Sequence, residues 1–347
     1  MVCGEVVAPA CSGLARHRGL ACAVVPNTVP RPDGALVAVA RLAAMRHATP
    51  LPSHLATAPF TVGQADQAGV TRDRLRARDL TDPFRGVRVP RALLDDADAD
   101  KRFEILCDAY QAKLPRGWFF SGPTAARIIG VPLPDRLERL EVHITAPGDF
   151  LPRGKYVIGH KAASAETTSM FGHRVRVAAE LWCELASFLT VDELIAAGDR
   201  MLSDKPVLLT TKRHLERAVA AFSGGRGVRK LREALPQLRE NVWSPRETWV
   251  RLVLLRAGLP EPERNARIYG ADGRLIAVGD LVYRRWKVVI EYEGERWHKD
   301  RWSGIDVDRY NKLVLAGWTV IRVRKHHTEA DVERMTREAL ALRGWRA

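Results

Sequence analysis

Residues 274–300 read RLIAVGDLVYRRWKVVIEYEGERWHKD, and the rest of the C-terminal region is arranged around them. Arg274–Tyr283 and Lys287–Glu293 are rich in Val, Ile, Leu and Tyr, the composition of strands. Arg284-Arg285-Trp286 is short enough to lay them side by side. Alternation then puts Glu291 and Glu293 on one strand face, with Ile290 and Tyr292 on the other. Asp280 sits late on the preceding strand, so two or three carboxylates converge from neighbouring strands. Like charges this close repel unless a cation lies between them. Carboxylate oxygens suit Mg²⁺ or Mn²⁺. Such an ion can activate water and offset charge on a phosphodiester.

Ser244-Pro245-Arg246-Glu247 has the form of a capping box with proline at the first helical position. It predicts a helix to Gly258. Arg267–Tyr269 is a further strand, turned by Asp272-Gly273. Ile305–Ala316 is a helix, with Asp308-Arg309 read as a pair or cap near its start. Thr319–Arg324 is a strand and Glu329–Leu342 a last helix. The predicted order is αβββαβα over residues 244–347. His298 follows the strand closely enough to act as acid or base or to contact phosphate. Trp297 and Trp302 are read chiefly as packing residues.

Asp280, IEYEG at 290–294, His298, DRYNKL at 308–313, GW at 317–318 and VIRV at 320–323 together resemble the endonuclease-like domain of the DUF559 family. That family is related to the very-short-patch-repair endonucleases of the PD-(D/E)XK superfamily. The resemblance implies a restriction-endonuclease-like fold with Asp280 and Glu291 as metal ligands. It also implies Glu247 as an accessory acid, with Glu293 and His298 completing the site. Glu293 stands where the superfamily pattern has lysine. The general base is therefore left open, and so is a domain that binds DNA without cutting it. Lys287 and Lys299 are the nearest lysines in sequence and candidate DNA contacts.

Upstream, FTVGQADQAGVTRDRLRARDL at 60–80 combines a Thr61/Gln64 capping box, a helix ended by Gly69, and a second helix from Thr71 to Asp79. Strand-like FRGVRV at 84–89 follows. This is the order of a winged helix-turn-helix over 55–95, with Arg72, Arg74, Arg76 and Arg78 as candidate DNA contacts. The stretch resembles the N-terminus of AbiEi-type antitoxin regulators. Residues 96–210 resemble the mixed α/β domain that follows it there. Residues 211–243 are read as a basic helical connector, broken at Ser223–Gly227. Residues 1–50 are read as a disordered leader or an over-called start, with Met45 as the alternative.

The chain has 347 residues and formal net charge +14, with Lys and Arg 55 against Asp and Glu 41. This favours a polyanionic partner, although arginine richness also follows from GC-rich coding. No apolar run reaches membrane-spanning length. The five cysteines form no CxxC pair, so a reducing cytoplasm is expected. The expected fold class is α/β in several domains. The expected function is metal-dependent DNA hydrolysis. The alternative is a non-catalytic DNA-binding regulator, with RNA as substrate and a homodimer both left open.

Overall fold

The computed structural model describes residues 48–162, 166–222, 224–293 and 304–346. All but the end of the 1–50 leader, together with His298 and Lys299, lies outside them. Helices and sheets alternate, as the α/β reading expects.

The front of the chain is built from short pieces. These are α1 (Ser53–Ala56), β1 (Phe60–Thr61), α2 (Val62–Gln67), β2 (Leu80–Thr81), β3 (Val87–Pro90), α3 (Ala92–Asp95) and α4 (Ala99–Gln111). The strands form an antiparallel sheet in the order β1-β3-β2. Thr61 and Gln64 cap each other reciprocally at the start of α2. The second helix expected over 71–79 is instead one 3-10 turn, Arg74–Arg76. Its polar side chains are spent locally. The Thr71 hydroxyl accepts from Arg74 N, and Arg74 forks onto Asp79 at 2.9 and 2.7 Å. Side-chain bonds of this kind compete with helix propagation.

The middle holds β4 (Phe119–Phe120), α5 (Gly122–Ile128), β5 (Val142–Pro147), β6 (Arg153–Gly154), β7 (Val157–Ala162), β8 (Thr167–Met170), β9 (His173–Arg176), α6 (Ala178–Leu185) and α7 (Val191–Leu202). The six strands order as β6-β7-β5-β4-β9-β8. Helices α8 (Lys212–Ala221) and α9 (Val228–Ala234) follow. They insert Leu215, Val219, Leu231 and Ala234 into the core that holds Trp182, Leu185 and Ile195.

The C-terminal order is the expected αβββαβα. It comprises α10 (Pro245–Arg256), β10 (Glu263–Tyr269), β11 (Leu275–Tyr283), β12 (Val288–Glu293), α11 (Gly304–Leu315), β13 (Thr319–Arg324) and α12 (Glu329–Leu342). The sheet order is β10-β11-β12-β13, antiparallel except for the parallel β12/β13 pair. A 3-10 turn at Arg284–Trp286 joins β11 to β12. It leaves Lys287 in the left-handed region at φ 50°. Alternation along the strands divides two cores. Val288, Ile290 and Val323 pack with Val250 and Leu254 of α10 and Val332 and Leu340 of α12. Val282 and Val289 pack on the other face with Leu313 of α11 and Trp318. Asp280, Glu291 and Glu293 belong by register to this second face.

One buried ion pair joins the middle to the C-terminal region. Asp199 of α7 and Arg251 of α10 are both fully buried and meet at 2.8 Å. Asp199 also accepts from Thr248 Oγ1 at 2.9 Å and Arg239 N at 2.7 Å. Four acceptor positions on one carboxylate are thus largely filled, as a buried charge requires.

Candidate active site

Glu247 comes from the first turn of α10. Ser244 caps the helix by accepting from Glu247 N at 3.1 Å, and Pro245 occupies the position whose N–H would be unpaired in any case. The expected reciprocal bond is displaced by one residue. The Glu247 carboxylate accepts from Trp243 N at 3.0 Å rather than from Ser244. It also accepts from Asn265 Nδ2 at 2.6 Å. Glu247 is only 7% exposed, and burial pushes its carboxyl above the usual range.

Asp280 and Glu291 are brought together by the β11/β12 register, in which Leu281 opposes Ile290. Asp280 Oδ2 accepts from Tyr292 N at 2.8 Å, so the aspartate faces the end of β12 directly. Burial, and then the charge of Glu247, lift the Asp280 carboxyl to about 6. The Tyr292 N–H and Arg309 act in the opposite direction. Glu291 is raised by burial too, and Asp280 adds to the rise while Arg309 opposes it. Asp280 thus feels the charge of Glu247, and Glu291 that of Asp280, while the charge that raises Glu247 further is Asp199.

Arg309 is the residue the sequence reading misplaced. It was expected to pair near the start of its helix. The helix begins at Gly304, and Arg309 instead forks onto both oxygens of Glu291 at 2.9 and 3.0 Å. Its partner lies on β12, 18 residues away, a contact that local spacing cannot disclose. Asn265, which holds Glu247, carried no signal either.

Glu293 is engaged separately. Arg322 and Arg324 of β13 both pair with it, the latter at 3.0 Å. Lys287 stands at the opposite end of β12, and its ammonium donates to Ala316 O at the C-terminus of α11 at 3.2 Å. The four residues from Lys287 to Glu291 span roughly 13 Å of strand. The structure therefore does not bring Lys287 to the acids. His298 and Lys299 fall outside the described residues. In the front region, Arg74 is tied to Asp79 and Arg76 to Asp73 at 3.3 Å, while Arg72 and Arg78 are exposed.

Among the described residues, no group of three or more His, Cys, Asp or Glu is spaced to hold a metal ion. The chemistry of the donors nevertheless suits a hard divalent cation. Two adjacent, largely buried carboxylates with raised pKa are stabilised by any cation they share, and Arg309 supplies such a charge on Glu291. Among the described residues, no helix is long and apolar enough to cross a membrane.

No family model and no solved structure matches the chain. Two uncharacterized proteins of Mycobacterium tuberculosis are similar to it, one from strain CDC 1551 / Oshkosh and one from a second strain. Each is 28% identical over 201 residues, which is 58% of this chain and 72% of the relative.

Proposed function

We propose that the C-terminal region is a metal-dependent nuclease that hydrolyses phosphodiester bonds in DNA. The observation that carries this reading is that Asp280 and Glu291 stand side by side on neighbouring strands, both raised by burial, with Glu247 adding to the rise of Asp280 and Asp280 to that of Glu291. A fold without a use for them would replace buried acids by apolar residues at lower cost. The DUF559-like and short-patch-repair-like pattern of Asp280, IEYEG and DRYNKL supports the same reading. Asp280 and Glu291 would hold Mg²⁺ or Mn²⁺, and the bound ion would supply Lewis-acid stabilisation and an activated water. Glu247 fixes the start of α10 and adds negative potential beside Asp280. Arg309 holds Glu291 in one orientation. The front strands and helices, with the exposed Arg72 and Arg78, would contact DNA as an AbiEi-like winged-helix unit.

The test is nicking of supercoiled DNA with Mg²⁺ or Mn²⁺. Wild type should nick, EDTA should stop it, and Asp280→Ala and Glu291→Ala should each abolish it. Retained cleavage in both variants would refute the assignment. RNA is the next substrate to try.

A second reading has its own observation. Glu291 is already forked by Arg309, and Glu293 by Arg322 and Arg324, so guanidinium groups neutralise the acids. A DNA-binding regulator that has lost cleavage would have this arrangement. It would bind one sequence tightly without a divalent ion.

A further inference from the structure

We propose that the exposed surface of α8 and α9, with the turn between them, contacts the phosphate backbone of nucleic acid without reading sequence. The proposal rests on the nucleic-acid reading above and adds a site to it. Lys212, Arg213 and Arg217 lie on α8, Arg226 in the turn, and Arg229 and Arg232 on α9. None of the six makes an ion pair among the described residues. Some guanidinium groups elsewhere do pair, as Arg136 does with Glu193, Arg176 with Glu180 and Glu184, and Arg239 with Glu261.

Two features argue against an ordinary solvated face. First, such a face interleaves acids with cations at helical spacing. Here only Glu216 and Glu233 are available, each four residues after Lys212 or Arg229, which is the weaker order for a helical pair. Second, α8 opens with Lys212-Arg213 and has no acid in its first turn. Cations there oppose the helix dipole. The placement brings the fold nothing, whereas a nearby polyanion would make it favourable.

The glycines of the turn have a separate explanation. A Cβ at Gly225 would strike the Phe222 ring, and one at Gly227 would meet the Ala186 carbonyl at 2.5 Å. They serve packing. The apolar sides of both helices are consumed by the middle core, through Leu215, Val219, Leu231 and Ala234. The side left exposed carries Arg213, Arg217, Arg229 and Arg232 against Glu216 and Glu233, and guanidinium forks match phosphate oxygens geometrically.

The experiment measures equilibrium binding of a duplex of arbitrary sequence across a salt series, in EDTA so that cleavage plays no part. The variant Arg213→Gln/Arg217→Gln/Arg229→Gln/Arg232→Gln is compared with wild type and with Arg72→Gln/Arg78→Gln. Each lost phosphate contact lowers the slope of log affinity on log salt by about 0.9. The quadruple variant should therefore lose about 3.6 in slope and on the order of a thousandfold in affinity at 0.1 M salt. The pair Arg213→Gln/Arg217→Gln alone should lose about half the slope, which guards against a folding defect in the larger variant. Wild-type binding with an unchanged slope in both variants overturns this surface and leaves the nuclease reading standing. No binding by wild type to duplex, single-stranded DNA or RNA overturns both.

Discussion

Asp280→Asn isolates the charge at the centre of the acid group. Asparagine keeps the size of the side chain and an oxygen for the Tyr292 N–H. Only ionisation is removed. Burial and Glu247 lift the Asp280 carboxyl from an ordinary value near 3.8 to about 6. Between those values the native chain holds a proton that the unfolded chain has released. Stability therefore falls as pH rises through that window, and the loss is complete above it. The rise corresponds to roughly 3 kcal/mol as a ceiling. At pH 8 the variant should be more stable than wild type by up to about 3 kcal/mol. Near pH 4, where both side chains are neutral, the two should converge. Urea unfolding at the two pH values measures the difference directly. Millimolar Mg²⁺ at pH 8 adds a second readout. A cation held by Asp280 and Glu291 stabilises wild type alone and narrows the gap. A gap that is the same at both pH values, or a variant less stable at pH 8, would refute the account of Asp280 as a strained buried acid.

Arg251→Leu strands the Asp199 carboxylate in the interior and should cost about 3–5 kcal/mol, read as a lower urea midpoint. Gly198→Ala would ordinarily gain in a helix interior, but its Cβ would stand 2.5 Å from Leu238 Cδ2 and 3.1 Å from Trp182 Nε1. Overpacking should win by ~1–3 kcal/mol and lower the thermal midpoint. Thr190→Ala removes the hydroxyl that accepts from Glu193 N at the start of α7 and should cost about 1 kcal/mol by the same measurement.

Features set by neighbours in sequence were legible. Thr61 and Gln64 marked the start of α2, where they cap each other and the helix runs over Val62–Gln67 before Gly69. Thr319–Arg324 and Glu329–Leu342 carry the boundaries read from the pattern. The pairing of Asp280 with the end of β12 followed from strand alternation and a short turn. What escaped depended on distant partners. Arg309 looked like a residue pairing near its helix start, because nothing nearby shows that Glu291 lies within reach. Nothing in the run AAGDRML around Asp199 discloses that this residue is fully buried against Arg251, 52 positions away. The helix expected over 71–79 failed because side-chain bonds to Thr71 and Asp79 closed a tighter turn first. The six-stranded order β6-β7-β5-β4-β9-β8 had no local signature at all.

Glu293 bears on how the proposed nuclease site would work, because the pattern that reading draws on has lysine there. The positive charge beside the acids is arginine: on β13 the parallel register sets Arg322 opposite Glu291 and Arg324 opposite Glu293, and Arg309 approaches from α11. This exchange has a chemical consequence. Lysine can give up its proton in a buried site, whereas a guanidinium stays charged at any working pH. Arg309, Arg322 and Arg324 can neutralise carboxylates or hold phosphate oxygens, but none can serve as a base. Under the nuclease reading, proton removal would therefore fall to a carboxylate or to the solvent rather than to any of these arginines. The two functional readings thus divide at Arg309. If Mg²⁺ competes with that guanidinium for Glu291, the acids become a metal site and the chain is an enzyme. If the fork on Glu291 persists in the presence of Mg²⁺, the same acids only tie α11 to the sheet, and binding is what the region does.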